Sequence, residues 1–210
     1  MQKGSVLPLL LGILVLGGII GTYLFFNKPT PPPLIRPIEQ KNNLKTYQQE
    51  KLGFQFQYTD KDLKVQEDSE EEFNKRGNGD FRKNFTYYVT YQPADVLGAV
   101  SVLDESGSYE MNPFTVWVFN NANNLTIEQF YEKYWYYPFV WGDYTERREN
   151  VAPINDATIS GQLAKYGVVT YREGSPKFVY LSSNGKMYLI RIINNEDNIG
   201  DQILSTFKFQ

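Results

Sequence analysis

The sequence predicts an α+β fold, an antiparallel sheet with a few amphipathic helices, following one N-terminal transmembrane helix. Three observations carry that expectation. Val6 to Phe26 is a run of 21 residues without a charged side chain, and at about 1.5 Å of helical rise per residue it matches the roughly 30 Å hydrocarbon core of a bilayer. Asn184-Gly185 lies between two apolar runs, Phe178 to Leu181 and Met187 to Ile193, and Asn-Gly is the strongest short hairpin signal. Thr126 and Gln129 stand in capping-box spacing ahead of Ile127, Phe130, Tyr131, Tyr134 and Trp135, which recur at helical intervals.

The apolar run fixes the organisation of the rest. A cleaved secretory signal is its main rival, because Lys3 precedes it. A signal core spans only about 7 to 15 residues and ends in small side chains, whereas this run ends in Tyr23, Leu24, Phe25 and Phe26. A retained anchor is therefore expected, with residues 1–5 a short tail, 6–26 the membrane helix, 27–46 a proline-rich spacer and 47–210 the globular domain. Gly17 and Gly21 stand in G-x-x-x-G spacing, which permits close helix packing but is also ordinary for membrane helices. Lys28, Arg36, Lys41 and Lys45 outnumber Lys3 and favour a cytoplasmic C-terminal side. Long domains cross largely regardless of charge, and the expectation adopted is a single-pass cell-membrane protein with its C-terminal domain extracytoplasmic.

Composition removes whole classes of function. The chain has no cysteine and no histidine, which excludes Cys/His zinc sites, haem ligated by those residues, Ser-His-Asp triads and Cys-His nucleophiles. Carboxylate, lysine or tyrosine chemistry and non-catalytic binding remain. From Ile38 onward 18 basic residues face 24 acidic ones, a net charge of −6, so nucleic acid is not an expected partner. With no disulfides, 16 Tyr, 14 Phe and 3 Trp must supply much of the core.

In chain order, Pro29, Pro31, Pro32, Pro33 and Pro37 predict an extended polyproline spacer, or a proline-rich ligand for an SH3-like domain. Phe54 to Tyr58 alternates apolar and polar residues as a half-buried strand does. Ser69 to Glu72 has capping-box spacing, with Glu71 and Glu72 four residues before Lys75 and Arg76, and predicts a short exposed helix. Its acidic run lacks the alternating pattern of a calcium loop and reads as a solvated face. Lys75, Arg76, Arg82 and Lys83 form a small basic patch around Gly77-Asn78-Gly79. Strands are expected over Phe85 to Tyr91, over Val100 to Leu103, and at Phe114 to Phe119, the last covered on both faces. Two sequons, at Asn84 and Asn124, matter only on a eukaryotic secretory route. Leu163 to Tyr171 reads as strand, and Asn194 to Asp197 as the cap and acidic start of a final helix carrying Ile199, Ile203 and Leu204. Gly200 weakens that helix by about 1 kcal/mol relative to Ala, so packing must hold it.

Four segments together resemble the PsbP-like domain family: Gly53-Phe54-Gln55-Phe56-Gln57-Tyr58, Leu125-Thr126-Ile127-Glu128-Gln129-Phe130, Gly185-Lys186-Met187-Tyr188-Leu189-Ile190 and Ile203-Leu204-Ser205-Thr206-Phe207-Lys208-Phe209. The resemblance spans Tyr47 to Phe209, departing from the family at Thr59, where proline is usual, and in a longer insert around Glu67 to Lys83. It implies an antiparallel sheet of about six strands sandwiched between helices and a non-catalytic binding role, without implying photosynthesis.

The function expected is a membrane-anchored, extracytoplasmic module that binds or stabilises another envelope protein and attaches to the membrane through Val6 to Phe26. No catalytic, cofactor-binding or metal-binding residues are expected. The alternative is a glycan or cell-wall-binding module, with Tyr136, Tyr137, Trp141 and Tyr144 as a partner or ligand surface, since adjacent rings offer apolar faces for stacking. A covering lid over the core is the plainer reading of that stretch. A third option is a carboxylate hydrolase using Glu128 and Glu132, at i and i+4 on one helix face.

Overall fold

The computed structural model describes residues 44–59, 61–73, 94–107, 111–137, 148–170, 175–194 and 197–210, all in the unit Asn42–Gln210. The apolar run Val6 to Phe26, the proline-rich stretch up to Lys41, the basic patch and the expected strand Phe85 to Tyr91 lie outside the described residues. Among the described residues no helix is long and apolar enough to cross a membrane.

Among the described residues ten strands form two antiparallel sheets. The small sheet is β1 (Leu44–Gln49), β2 (Phe54–Thr59) and β10 (Lys208–Phe209), in the order β1-β2-β10. The large one contains β3 (Lys64–Asp68), β4 (Val96–Leu103), β5 (Phe114–Asn120), β6 (Asn155–Ile159), β7 (Gln162–Val168), β8 (Lys177–Ser183) and β9 (Lys186–Ile192), in the order β3-β4-β5-β9-β8-β7-β6. Among the described residues the helices are α1 (Glu70–Phe73), α2 (Ile127–Tyr134) and α3 (Ile199–Ser205), with a 3₁₀ turn at Arg148–Val151. The α+β class and the antiparallel sheet follow the sequence expectation; among the described residues the large sheet has seven strands where about six are expected, and the small sheet is an addition to it.

The seven-stranded sheet divides two cores because successive side chains on a strand point to opposite faces. Trp117 and Phe119 of β5 and Met187 and Leu189 of β9 face the core that α2 covers with Phe130 and Tyr131. Val116 and Val118, with Tyr188 and Ile190, face the other core, closed by Phe54 and Phe56 of β2 and by Ile203 and Phe207 at α3. Rings carry this second core: Phe54 stacks on Phe207 at 5.2 Å, and Phe56 meets Phe114 edge-on at 5.4 Å. β5 is buried from Phe114 to Phe119, the doubly covered strand that its unbroken apolar run requires.

Local signals explain the element ends. Asn184 (φ 51°) and Gly185 (φ 71°) both take the left-handed conformation, giving the two-residue type I′ turn expected between β8 and β9. At α1, the Ser69 hydroxyl accepts from the Glu72 N–H while the Glu72 carboxylate accepts from the Ser69 N–H at 2.9 Å, a closed capping box. At α3 the cap comes from within the expected stretch Asn194 to Asp197: the Asn194 side-chain carbonyl accepts from the Asp201 N–H at 3.2 Å, whereas the Asn198 side chain, next to the helix, makes no capping bond.

Two boundaries differ from expectation. β1 begins at Leu44, inside the stretch read as spacer, and its polar Leu-Lys-Thr-Tyr-Gln-Gln sequence is explained by its place at the edge of the small sheet. β4 runs from Val96, four residues before the expected Val100, through a bulge between Val96 and Gly98.

Candidate functional site

The best-defined surface feature begins with the way α2 is seated. Buried Asn121 accepts from the Leu125 N–H at 2.9 Å and donates to the Leu125 carbonyl at 3.0 Å, while its own N–H reaches the Gly185 carbonyl at 2.8 Å. The helix entry is thereby tied to the β8–β9 turn. Thr126 then closes the expected capping box: its Oγ1 accepts from Gln129 N, and Gln129 Oε1 accepts from Thr126 N at 2.9 Å. With the helix fixed in this way, Phe130 and Tyr131 are buried, Ile127, Tyr134 and Trp135 pack half-exposed beside them, and Glu128 lies near β7.

Lys165 of β7 meets Glu128 at 3.1 Å and Asp156 at 3.4 Å, Asp156 being its cross-strand partner on β6. The Glu128 carboxyl is held below its ordinary value by its own backbone N–H, by Lys165 and by Thr126, and the two carboxylates raise Lys165. At the other end of α2, Glu132 pairs with Arg148, whose guanidinium lies 5.5 Å over the Tyr131 ring. The Tyr131 hydroxyl donates to the Arg148 carbonyl and the Tyr180 hydroxyl to the Val151 carbonyl. These bonds pin the 3₁₀ turn that leads into β6. Gly167 lets that segment pass, since a Cβ there would stand 2.4 Å from the Ala152 carbonyl oxygen.

Between the start of α2 and the β6–β7 hairpin lies a groove of about 550 Å³, lined by Thr126, Ile127, Glu128, Asp156, Thr158, Leu163 and Lys165 among others. Leu163 on its wall is 82% exposed and Ile154, just before β6, is 80% exposed. Exposed leucine and isoleucine at one sheet edge, beside an ionic row, make a surface suited to binding.

The sequence-derived candidates fall differently. Tyr136 and Tyr137 are 2% and 0% exposed, and Tyr137 packs edge-on against Phe119 at 4.8 Å. They cover the core and present no stacking face, which corrects the expectation for these two rings; Trp141 and Tyr144 lie outside the described residues. Glu128 and Glu132 form ion pairs with different cations, Lys165 and Arg148, instead of facing one another as acid and base. Among the described residues no group of three potential metal ligands occurs. Sequence reasoning passed over Ile154, Asp156 and the whole of β6, for which Ser160-Gly161 was the available hairpin signal.

No family model and no curated protein matches this sequence. Among solved structures there is a likeness. The chain is similar to the solution structure of cyanobacterial PsbP (CyanoP) from Synechocystis sp. PCC 6803, with 14% identity over 80% of this chain and 92% of that one, and a TM-score of 0.45. Similarity at that level carries no argument about function.

Proposed function

We propose that this chain is a PsbP-like, membrane-anchored, extracytoplasmic module that binds or stabilises another envelope protein and carries out no catalysis. The observation that supports binding is the exposed pair Ile154 and Leu163 at the β6–β7 edge, beside the groove. Isolated apolar side chains are normal on a surface, but two large ones flanking one edge strand are what a partner site needs. The uncharged run Val6 to Phe26 supports the anchor, the prolines that follow it support a spacer, and the four sequence segments support the family. The glycan reading is not carried forward, because two of its four rings are in the core.

The test is protease treatment of spheroplasts followed by crosslinking of the intact protein in membranes. Cleavage from outside within residues 27–46 and a reproducible crosslinked envelope protein, lost in Leu163→Asp, are the expected results. Protection of the spacer until the membrane is permeabilised would overturn the extracytoplasmic assignment. A crosslinking pattern unchanged by Leu163→Asp would overturn the assignment of the surface.

A further inference from the structure

We infer that the β6 edge takes up an extended, cationic segment of a partner protein by strand addition; the inference rests on the binding-module reading and names the partner's chemistry. Ser160 (φ 51°) and Gly161 (φ 77°) form a two-residue turn, so Ile159 and Gln162 are the hydrogen-bonded pair that flanks it. Alternation then directs the peptide groups of Ala157 and Asn155 toward β7 and those of Asp156 and Thr158 away from it. Among the described residues β6 pairs with β7 alone.

Edge strands are usually blunted by charge, proline or bulges. The opposite edge, β3, follows that rule with Lys64, Glu67 and Asp68 in five residues. β6 carries a single charge, Asp156, and no bulge. Ile154 and Leu163 stand beside it as exposed apolar contacts.

Charge selects the occupant. Lys165 is shared by two carboxylates, Glu128 and Asp156, so the row keeps an excess negative charge, and the Asp156 side chain is 85% exposed. A strand laid along β6 would place alternate side chains on the face of Asp156 and Thr158, where a lysine or arginine meets carboxylate, and the β-branched side chains between them on the opposite face beside Ala157 and Ile159. A second copy is the poorer occupant, because antiparallel pairing of β6 with itself brings together two acidic domains and two Asp156 side chains.

The experiment uses the full chain in nanodiscs and a fluorescent nine-residue peptide of alternating valine and lysine with threonine ends. Binding is read by polarisation, beside a glutamate-for-lysine peptide and a peptide N-methylated on every second amide. Binding of the lysine peptide, at least tenfold weaker for the glutamate peptide, the N-methylated peptide and the Asp156→Lys chain, is expected. Equal binding of the lysine and N-methylated peptides would overturn strand addition, and equal binding of the lysine and glutamate peptides the charge selection. Sedimentation of the free chain as a dimer that Leu163→Asp dissociates would make the occupant a second copy instead. Absence of peptide binding, with a crosslinked envelope partner still recovered, would overturn this inference and leave the binding-module reading standing.

Discussion

The phenol of Tyr188 and the carbonyl of Leu52 form a buried 3.0 Å hydrogen bond that ties β9, at the middle of the large sheet, to the turn between β1 and β2. Phe54, Phe207 and Phe209 surround the ring with centroids at 6.3, 6.3 and 5.1 Å and hold the phenol in place. Tyr188→Phe keeps the packing and removes the donor. It is expected to cost about 1 to 2 kcal/mol in denaturant unfolding, the usual cost of a buried acceptor left without its partner.

The same residue predicts an alkaline effect. Burial pushes the Tyr188 phenol up to about 12 from an ordinary 10.0. Between those values the unfolded chain loses the proton first, so the contribution is complete below pH 10 and declines as pH rises toward 12. The stability gap between wild type and Tyr188→Phe should therefore narrow above pH 10, and a gap that widened there would contradict the assignment.

Asp68 predicts a pH dependence at the other end of the scale. It is buried on β3, and desolvation pushes its carboxyl up to about 6 from 3.8; a 3.4 Å hydrogen bond from Gln66 opposes the shift and the nearby Glu72 charge adds to it. The folded state holds this proton more tightly than the unfolded state. Its contribution is fully present below about pH 4 and is lost as pH rises through 6. Relative to Asp68→Asn, wild type should lose stability between pH 4 and pH 7. Midpoints from urea unfolding at three pH values measure the difference, and parallel curves would exclude it.

How much of this was legible follows from where each element sits. β5, β8 and β9 are covered on both faces, so their apolar runs had to stand out in the sequence. β1, β3 and β6 lie at sheet edges, where one or both faces meet water, and Asn-Asp-Ala-Thr-Ile carries no alternation strong enough to announce β6. The aromatic run after α2 misled for a related reason. More rings followed Trp135 than one helix stripe buries, which suggested a surface, but the chain goes on to place Tyr136 and Tyr137 in the core, Tyr137 against Phe119. The groove at Lys165 joins residues of α2, β6 and β7 that only the fold brings together, and no local pattern marks such a site.

Thr126 connects the two levels, since its capping box both starts α2 and positions Glu128 toward Lys165. Thr126→Ala should cost about 1 kcal/mol, with Thr126→Ser recovering most of it. If the groove matters for binding, Thr126→Ala should also weaken the lysine peptide, while Thr126→Ser should not. Thermal unfolding and polarisation on the same preparations read both effects.

Gly200 offers the sharpest contrast between local propensity and packing. Read as an isolated helix position, Gly200→Ala should stabilise α3 by about 1 kcal/mol. In the fold, a Cβ at Gly200 would stand 2.4 Å from Ile192 Cγ2 and 2.5 Å from the Pro113 carbonyl oxygen. That carbonyl accepts the Ile193 N–H at 3.1 Å, so it is held in place and cannot yield without breaking the bond. The helix therefore comes closer to the end of β9 than any residue with a side chain permits. Gly200→Ala is expected to destabilise the protein by about 1 to 3 kcal/mol, the range for overpacking a closed core. Urea unfolding decides the sign: a higher midpoint in the variant would show that α3 moves away freely and that its docking against β9 is loose.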